Sequence, residues 1–581
     1  MTAPTAPNIN HLWTALLVDE LVRQGVGLFV VCPGSRSTPL AVAVGQHPTA
    51  EALVHWDERA AAFVALGWGR ATGRPAAVIT TSGTAVANLL PAAVEADADG
   101  VPLLLLTADR PPELRETGAN QTVRQPPVFQ DVARWSLDGP VPTPDVPAHW
   151  VLSTAAHAVR RTLAPPGPVH LNLPFREPLG RQPDGLDARA YLGEEELRGV
   201  TRSVGTSAIP QIDGPWVERL LEVDRGLVVL ADAGQATASE EANRLARALG
   251  WPLLADVRAS GGAGAAVSHY DLALASPRMR EGLQPDAVLH IGGRLTSKRL
   301  GQHLAVARPD LYVQLSESPA RVDPDSLVTD RIVGPLAGLA AALADRAASR
   351  ESQSSSSWRT LWNAASDAAA REVASLGGLS EIGVARRVSQ ADGPLVVAAS
   401  MPIRDVLAVG GSGVIANRGA SGIDGTVATA HGVARGTGQP VTLLIGDLAL
   451  LHDQTSLALL RDGPPVTVVC INNDGGGIFH RLPIADDGSG KLAADTFERF
   501  FGTPHGLGFE HAARQVELAY HAPDTLEAFR QALDAVRRSG ASALVEVRTD
   551  RAAQAALRRQ LEAAAAAAVD AALDDDGGAT A

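Results

Sequence analysis

An acid and an amide follow two apolar segments of the chain, each at the point where the segment ends. Asp447 comes directly after VTLLIG, and Asn473 comes directly after PVTVVCIN, 26 residues later (473 − 447). Both segments have the length and β-branched content of buried strands, which predicts a strand–helix–strand unit. Since the carboxyl ends of parallel strands meet at one edge of a sheet, we expect the two side chains to lie side by side.

These side chains offer oxygen ligands, and the segment NNDGGG around Asn473 adds a glycine-rich turn whose carbonyls can face outward. Mg²⁺ takes about six oxygen ligands and is usually bound through one or two carboxylates together with substrate phosphates. The alternative is structural, in which Asp447 caps a helix and Asn473 forms a turn. The pair taken alone favours neither interpretation.

A second acid, Glu58, begins the apolar helical segment ERAAAFVALGWGRATG, directly after the strand-like segment ALVHW and Asp57. A glutamate in the first turn of a helix most often interacts favourably with the helix dipole. A desolvated glutamate could instead keep a proton or share one with a ring nitrogen of a ligand. Both roles are compatible with the local sequence.

Alternating helical and strand-like segments surround these residues and predict an α/β fold with three mostly parallel sheets covered by helices. The chain has 581 residues, too many for a single core. We place its parts, in chain order, as an α/β domain over 1–180, a linker over 181–214, a central α/β domain over 215–345, a serine-rich linker and helix over 346–375, an α/β domain over 376–552, and an alanine-rich helix with a disordered acidic tail over 553–581.

Composition argues against several classes of partner. The formal net charge is −14 and no run is rich in Lys and Arg, so neither nucleic acid nor a membrane surface is expected as a partner. No apolar run approaches the roughly 18 residues of a membrane span, and the first residues do not resemble a signal peptide. Cys32 and Cys470 each belong to an apolar run, so neither a disulfide nor a zinc site is predicted. A cytoplasmic protein is expected.

Longer motifs resemble a known superfamily. Gly446, Asp447 and Asn473, together with Glu58, resemble the thiamine diphosphate-dependent decarboxylases, although Leu448 replaces the last glycine of their Gly-Asp-Gly signature. The closer resemblance is to the 2-succinyl-5-enolpyruvyl-6-hydroxy-3-cyclohexene-1-carboxylate synthase family, where leucine is usual at that place. The matching segments run in the expected order from about 9 to 550: CPGSRSTPL, DERAAAFVALGWGRATG, TSGTAVANLLPAAVEA, LTADRPPELRETGANQTVRQP, GGRLTSKRL, NRGASGIDG and NNDGGGIFHRLP.

The resemblance implies that thiamine diphosphate binds between the pyrimidine-binding domain of one subunit, 1–180, and the diphosphate-binding domain of another, 376–552. A homodimer is therefore implied, and a dimer of dimers is compatible with it. Mg²⁺, or Mn²⁺, would be bound by Asp447, the Asn473 side chain and the Gly475 carbonyl, with Asn472 as the rival of Asn473.

Further roles are implied for residues near these ligands. Glu58 would be the catalytic residue, bonded to the N1′ atom of the aminopyrimidine. Ile423 would hold the cofactor in its bent form, although an isoleucine there could also be an ordinary core residue. Other cofactor contacts are implied for Ser82, Gly83, Asn88, Ser400, Gly446, Leu448, Gly476 and Ile478.

The family decarboxylates 2-oxoglutarate and adds the succinyl carbanion equivalent to isochorismate, giving 2-succinyl-5-enolpyruvyl-6-hydroxy-3-cyclohexene-1-carboxylate and CO₂ in menaquinone biosynthesis. Three carboxylates must then be held in one site, a task for which the planar guanidinium of Arg is suited. Substrate binding is implied for Arg36, Arg110, Asn120, Gln121, Lys298, Arg299, Ser400, Arg404 and Arg418. The alternatives are another thiamine diphosphate-dependent 2-keto acid decarboxylase or carboligase, and a non-catalytic relative that binds metabolites.

Overall fold

A computed structural model describes residues 6–192, 201, 212–234, 236–260, 266–349, 356–485 and 492–577. Within them the chain forms three parallel sheets covered by helices, which confirms the predicted fold class. Parts of the two predicted linkers, 193–200, 202–211 and 350–355, lie outside the described residues, as does the end of the predicted acidic tail, 578–581. No helix in the described part of the chain is long and apolar enough to cross a membrane.

The first sheet contains β1 (Leu28–Val31), β2 (Ala52–Val54), β3 (Ala76–Thr80), β4 (Leu103–Asp109), β5 (Trp135–Asp138) and β6 (Pro168–Pro174). All neighbours pair in parallel, in the order β2-β1-β3-β4-β6-β5. Strands β3 and β4 are buried along their whole length, as expected for apolar strands covered on both faces. The helices are α1 (Ile9–Arg23), α2 (Thr38–Gln46), α3 (Glu58–Thr72), α4 (Thr84–Ala87), α5 (Leu90–Asp99), α6 (Ala148–Leu163) and α7 (Ala188–Leu192), with 3-10 turns at Pro112–Leu114 and Pro126–Phe129.

The second sheet contains β7 (Gly226–Leu230), β8 (Leu253–Ala255), β9 (Ala287–Ile291), β10 (Leu311–Ser316) and β11 (Asp330–Val333). Its order is β11-β10-β9-β7-β8, again entirely parallel. The accompanying helices are α8 (Pro215–Glu222), α9 (Ala236–Leu249), α10 (Tyr270–Ala273), α11 (Pro277–Gly282), α12 (Lys298–Ala307), α13 (Leu336–Ala348) and α14 (Ser356–Ser375).

The third sheet contains β12 (Leu395–Val397), β13 (Val441–Gly446), β14 (Val466–Asn472), β15 (Ala519–His521) and β16 (Ala543–Arg548), in the parallel order β12-β13-β14-β16-β15. Its helices are α15 (Glu381–Ser389), α16 (Met401–Ala408), α17 (Thr426–Thr437), α18 (Asp447–His452), α19 (Ala494–Phe497), α20 (Glu510–Gln515), α21 (Leu526–Ser539) and α22 (Arg551–Gly577). The helical segment expected between β13 and β14 is divided into α18 and a 3-10 helix, Gln454–Arg461. Other tight turns are the 3-10 helices Gly477–Arg481 and Pro483–Ala485 and the π-helical turn Glu498–Gly502.

Helices α3 and α17 pack closely and connect the first and third sheets. A Cβ atom on Gly67 would lie 2.2 Å from the Thr429 carbonyl oxygen, and one on Gly432 would lie 2.1 Å from the Val64 carbonyl oxygen. Only glycine permits this approach of the two backbones. The start of α3, which carries Glu58, is thereby fixed relative to the third sheet of the same chain.

The C-terminal helix α22 is longer and more deeply packed than its alanine-rich sequence suggests. It spans 27 residues and packs against α10, α11 and α14. Leu561, Ala565, Val569 and Leu573 are buried in the core that also contains the third sheet. Burial of these side chains, and not the helix propensity of alanine alone, therefore keeps α22 on the protein.

Candidate active site

Asp447 and Asn473 lie side by side at the carboxyl edge of the third sheet, where β13 and β14 end. The Asp447 Oδ2 atom accepts hydrogen bonds from the backbone N–H groups of Asn473 (3.1 Å) and Gly475 (2.9 Å). Its Oδ1 atom accepts one from the N–H of Leu448 (2.7 Å). Asp447 is buried and is the first residue of α18, but Gly446 is the N-cap and no side chain caps this helix. The carboxylate therefore does not cap the helix; it holds the turn after β14 in a position suited to a ligand.

The hydrogen bonds distinguish the two neighbouring asparagines. The Asn472 Oδ1 atom accepts from the N–H of Asp474 (3.2 Å), and its Nδ2 atom donates to Glu546 (2.7 Å). The Asn473 Nδ2 atom donates to Glu381 (2.8 Å), whereas its buried Oδ1 atom has no hydrogen-bond partner among the described residues. A buried polar atom without a partner is costly unless a ligand satisfies it. Asn473 therefore has the free amide oxygen, and Asn472 does not.

The glycine turn after Asn473 brings its backbone close to a second loop. Gly475 has φ +131°, and a Cβ atom on it would lie 1.9 Å from the Gly502 carbonyl oxygen. The N–H of Gly476 donates to that same oxygen (2.7 Å). The Gly475 carbonyl accepts from the N–H of Gly477 (2.9 Å), and a carbonyl oxygen has a second lone pair for another partner. Carboxylate, amide and carbonyl oxygens thus belong to one turn and the strand end beside it, and this donor set suits Mg²⁺ or Mn²⁺.

A separate polar cluster lies at the carboxyl edge of the first sheet. Ser82 is buried, and its hydroxyl donates to the Gln121 carbonyl (2.9 Å) and accepts from Arg110. The Gln121 side chain donates back to the Ser82 carbonyl (2.9 Å). Gly83 has φ +85°, and a Cβ atom on it would lie 2.9 Å from the Gln121 Cγ atom. Asn88, at the end of α4, is exposed.

Arg36 belongs to the same cluster. Its Nη1 atom donates to the Phe175 carbonyl (2.9 Å), and its Nη2 atom lies 3.5 Å from the Glu177 carboxylate. Burial and then the positive charge of Arg110 lower the pKa of Arg36 from its ordinary value. Two guanidinium groups near one another and partly removed from water attract an anion. Asn120 is exposed in the loop beside them.

Glu58 is half-buried at the first position of α3, where the Asp57 side chain caps the helix by accepting from the N–H of Ala60 (3.2 Å). Within the described residues its carboxylate forms no hydrogen bond and no ion pair with another side chain. Trp56 and Val54 next to it are 68% and 62% exposed, although both are apolar. The described contacts do not connect Glu58 with Asp447 or Asn473 in the same chain.

Arg404 and Arg418 form a second pair of basic groups, on the third domain. The Arg404 side chain donates to the Ser400 carbonyl, and Ser400 adopts φ +71° just before α16. Burial and then Arg558 lower the pKa of Arg404, while burial and then Arg404 lower the pKa of Arg418. The positive charge of Arg404 therefore acts on Arg418, and positive charge concentrated in this way favours a bound anion.

The loop that carries Arg418 is held by the first domain. Both oxygens of the buried Glu95 carboxylate accept backbone hydrogen bonds, from Gly419 (2.9 Å) and Ala420 (2.6 Å). Ile423 in this loop is 41% exposed. It is therefore not a core isoleucine, and its side chain is available to a ligand.

Comparison with known proteins gives the family. Residues 13–128 match the family described as thiamine pyrophosphate enzyme, N-terminal TPP binding domain, and residues 215–394 match the family described as middle domain of thiamine pyrophosphate. A relative from Rubrobacter xylanophilus is 50% identical over 96% of this chain and 98% of its own. Relatives from Salinibacter ruber and Pelodictyon phaeoclathratiforme are 48% and 40% identical over 96% of this chain, and over 97% and 95% of theirs.

All three relatives are named 2-succinyl-5-enolpyruvyl-6-hydroxy-3-cyclohexene-1-carboxylate synthase. This chain belongs to that synthase family. It is accordingly a thiamine diphosphate-dependent enzyme, as the sequence predicts.

Arg299 and Lys298, the two residues of the middle domain that are predicted to bind substrate, differ in their surroundings. Arg299 forms ion pairs with Asp271 (3.0 Å) and Glu562 (2.8 Å). Burial lowers the pKa of Arg299, but these two carboxylates raise it, and the net shift is upward. Lys298 begins α12 with its side chain exposed. Lys298 is thus free to meet a substrate, whereas Arg299 is already bound by two acids.

The remaining predicted contacts lie around the Asp447 site of the synthase. Gly446 ends β13, Leu448 follows Asp447 with its side chain partly exposed, and Gly476 is buried against the Phe501 carbonyl. Ile478 is half-buried in the 3-10 helix that follows the glycine turn. These positions lie next to Asp447 or in the glycine turn that follows Asn473.

The sequence does not single out several residues that shape the site. The His505 Nε2 atom lies 3.2 Å from the Asp447 Oδ2 atom. Arg551, the first residue of α22, donates to the carbonyls of Asn473 (3.2 Å) and Asp474 (2.6 Å). Burial, and then the Asp405 carboxylate, raise the pKa of Glu381 to about 7. These residues have no local motif, since each reaches the site only through folding.

Proposed function

We propose that this enzyme decarboxylates 2-oxoglutarate and adds the resulting four-carbon unit to isochorismate, giving 2-succinyl-5-enolpyruvyl-6-hydroxy-3-cyclohexene-1-carboxylate and CO₂ in menaquinone biosynthesis. The observation that carries this proposal is the 50% identity, along nearly the whole of both chains, to a relative of that name. The two alternatives, another decarboxylase or carboligase and a non-catalytic relative, have no comparable support. We also propose the cytoplasm as its location, in keeping with two buried, unpaired cysteines.

The metal is assigned to the third-domain edge. Asp447, the Asn473 side chain and the Gly475 carbonyl would hold Mg²⁺ or Mn²⁺, which in turn would bind the diphosphate. This assignment is supported by the buried Asn473 oxygen that has no protein partner. When bound, thiamine diphosphate would supply a carbon nucleophile for the keto group and a positively charged ring that takes up the electron pair released as CO₂ leaves. The protein contributes position, charge and exclusion of water.

Glu58 is assigned as the catalytic residue. Its carboxylate would exchange a proton with the N1′ atom of the aminopyrimidine ring, while Ser82, Gly83 and Asn88 would lie against that part of the cofactor. The assignment is supported by the position of Glu58, which begins a helix without a hydrogen-bond partner among the described residues. A strong bond to a charged group in the reacting state lowers the barrier directly.

The basic residues are assigned to the substrate carboxylates. Arg36 and Arg110 lie on the first domain, Arg404 and Arg418 lie on the third, and Lys298 comes from the middle domain. Each arginine pair is close enough for one member to depress the pKa of the other. Guanidinium groups in such surroundings bind carboxylates through paired hydrogen bonds. Polar contacts would be added by Asn120, Gln121 and Ser400. Arg299 would contribute positive charge while remaining paired with its two carboxylates.

We propose a homodimer as the smallest active unit, and two such dimers could associate further. The support is that Glu58 and the metal ligands are not in contact within one chain, and that the apolar Trp56 and Val54 beside Glu58 face solvent. A second copy would cover these side chains and place its own third-domain edge opposite Glu58. Each dimer would then contain two sites, related by the two-fold axis.

Mixed dimers test this arrangement. Glu58→Gln and Asp447→Asn chains would be co-expressed with different tags and the mixed dimer purified by both. If sites form between chains, one of its two sites is intact, and about half of wild-type activity per dimer is expected. If sites form within chains, the mixed dimer is as inactive as its parents, and the proposed arrangement is wrong.

The activity itself is tested by incubating the protein with isochorismate, 2-oxoglutarate, thiamine diphosphate and Mg²⁺, and detecting the decarboxylated adduct by mass. Parallel reactions replace 2-oxoglutarate with pyruvate or omit isochorismate. The proposal expects the adduct only in the complete mixture. Adduct or CO₂ release that is faster with pyruvate would instead indicate a different carboligase.

A further inference from the structure

The two asparagines that end β14 are each held by a different buried glutamate. Glu546, on β16, accepts from the Asn472 Nδ2 atom (2.7 Å). Glu381, the first residue of α15, accepts from the Asn473 Nδ2 atom (2.8 Å). Glu546 is fully buried and Glu381 is 6% exposed. Neighbouring side chains of the same type thus receive similar support, but only one of them has a free oxygen.

The Glu381 carboxylate is itself fixed from several directions. Its Oε1 atom also accepts from the hydroxyl of Thr549 (3.0 Å), in the loop after β16. The backbone N–H of Glu381 donates to the Gln554 side chain of α22 (3.0 Å). The preceding Ser380 caps α15 by accepting from the N–H of Gly383 (3.1 Å). The acceptor is therefore held in place before any ligand binds.

A fixed acceptor determines which way the Asn473 amide faces. An amide side chain has a donor end and an acceptor end, and a carboxylate oxygen that already accepts from Thr549 pairs with the donor end. Once Nδ2 points at Glu381, Oδ1 must point to the opposite side, where it is buried and has no partner among the described residues. With the amide reversed, the Asn473 Oδ1 atom would face the Glu381 carboxylate oxygen, and the two acceptors could form no hydrogen bond.

We propose that Glu381 is a positioning residue for the synthase, which orients the Asn473 amide so that its oxygen faces the divalent cation of the diphosphate. The inference rests on the proposed function, because that function supplies the cation. Groups that hydrogen-bond metal ligands in this way commonly change metal affinity 10–100-fold when removed. Glu381 would act through Asn473 and would not touch the cofactor or the substrates.

Two conservative variants separate orientation from charge. Glu381→Gln keeps the reach and an oxygen that can accept from Asn473, but it removes the negative charge. Glu381→Asp keeps the charge, but withdraws it by one methylene from Asn473. Orientation predicts that Gln retains the metal affinity within about threefold and that Asp weakens it 10–100-fold.

The measurement is Mn²⁺ binding by electron paramagnetic resonance, with saturating thiamine diphosphate and the full-length protein. Thermal unfolding of each variant is recorded in parallel. Turnover is measured as a function of Mn²⁺ as well, since a positioning role predicts that excess metal restores most of kcat in Glu381→Asp. Glu546→Asp, the same shortening beside Asn472, is the matched control and is expected to bind Mn²⁺ within about threefold of wild type.

The outcomes are distinct. Loss of affinity in Glu381→Asp but not in Glu381→Gln or Glu546→Asp supports the inference. Loss of Mn²⁺ affinity in Glu381→Gln but not in Glu381→Asp would show that charge matters and not orientation. Equal loss in Glu381→Asp and Glu546→Asp would show a general loosening of the loop. Either result overturns the inference. If wild-type protein binds thiamine diphosphate but does not bind Mn²⁺, the metal assignment is overturned together with the role of Glu381. Normal Mn²⁺ binding in every variant would overturn the role of Glu381 alone.

Discussion

The edge of the third sheet and the edge of the first sheet differ in how much of the site each completes within one chain. At the third, Asp447 is buried and three backbone N–H groups fix its two oxygens. At the first, Glu58 is only half-buried, and Asn88 and Gln121 are exposed. The exposed Trp56 lies beside Glu58.

The difference indicates a division of labour. A cation must be held by ligands already in place, because reorganising several oxygens around a small ion weakens binding. The third edge meets this requirement through hydrogen bonds within the chain. The first edge presents Glu58 on an open surface, and in the proposed dimer a second copy would exclude water from it. A substitution at the first edge should therefore affect a different measured property from a substitution at the third edge.

The largest effect is expected at the open edge. Glu58→Gln should lower kcat by about 10²–10⁴-fold, the usual contribution of a general acid or base, because the amide cannot exchange a proton with the cofactor ring. Binding of thiamine diphosphate should change little. Steady-state kinetics and a cofactor titration measure the two. The exposed Glu51→Gln is the control, and near-normal turnover of Glu58→Gln would remove its assigned role.

The next largest effect tests the bracing of the third domain. Arg558→Ala leaves the buried Asp405 carboxylate without its ion pair, and should lower the free energy of unfolding by about 3–5 kcal/mol. The control is its exposed neighbour, because Arg559→Ala should change the free energy of unfolding by no more than about 0.5 kcal/mol. Urea denaturation measures both. Equal stability of the two variants would mean that α22 does not brace this domain.

At the edge of the third sheet, Asp447→Asn removes the only charge among the three proposed metal ligands. Metal affinity in the presence of thiamine diphosphate should fall by at least about 100-fold, more than for a residue that acts through a ligand. A Mn²⁺ titration measures this, with the exposed Asp462→Asn as control. Unchanged affinity would place the cation elsewhere and make the third edge merely a structural loop.

The smallest effect concerns the substrates. Arg418→Lys keeps the charge but loses the planar pair of donors, so KM for one of the two carboxylate substrates should rise about tenfold with a smaller change in kcat. Arg124, whose side chain is 82% exposed, gives the matched Arg→Lys control. If both KM values stay at the wild-type level, Arg418 does not bind a substrate carboxylate.

Local sequence was sufficient for the elements that carry the proposed metal ligands. The apolar runs before Asp447 and Asn473 are neighbouring parallel strands, and parallel strand ends meet by geometry. It was insufficient for the helix between them, part of which is 3-10, and for α22, whose alanines gave no sign of its packing. Propensity describes one element at a time, and burial against distant elements overrides it.

The sequence by itself determined the family, the fold class and the adjacent acid and amide, and its resemblance to that family made Asn473 the preferred amide. Only the tertiary structure decided which of two asparagines keeps an unpaired oxygen, that Ile423 lies at the surface, and that Glu381 and Arg551 hydrogen-bond to Asn473. Glu381 is 92 residues from Asn473 and Arg551 is 78 residues from it. Hydrogen-bond partners and burial arise when distant segments pack together, so no local pattern specifies them.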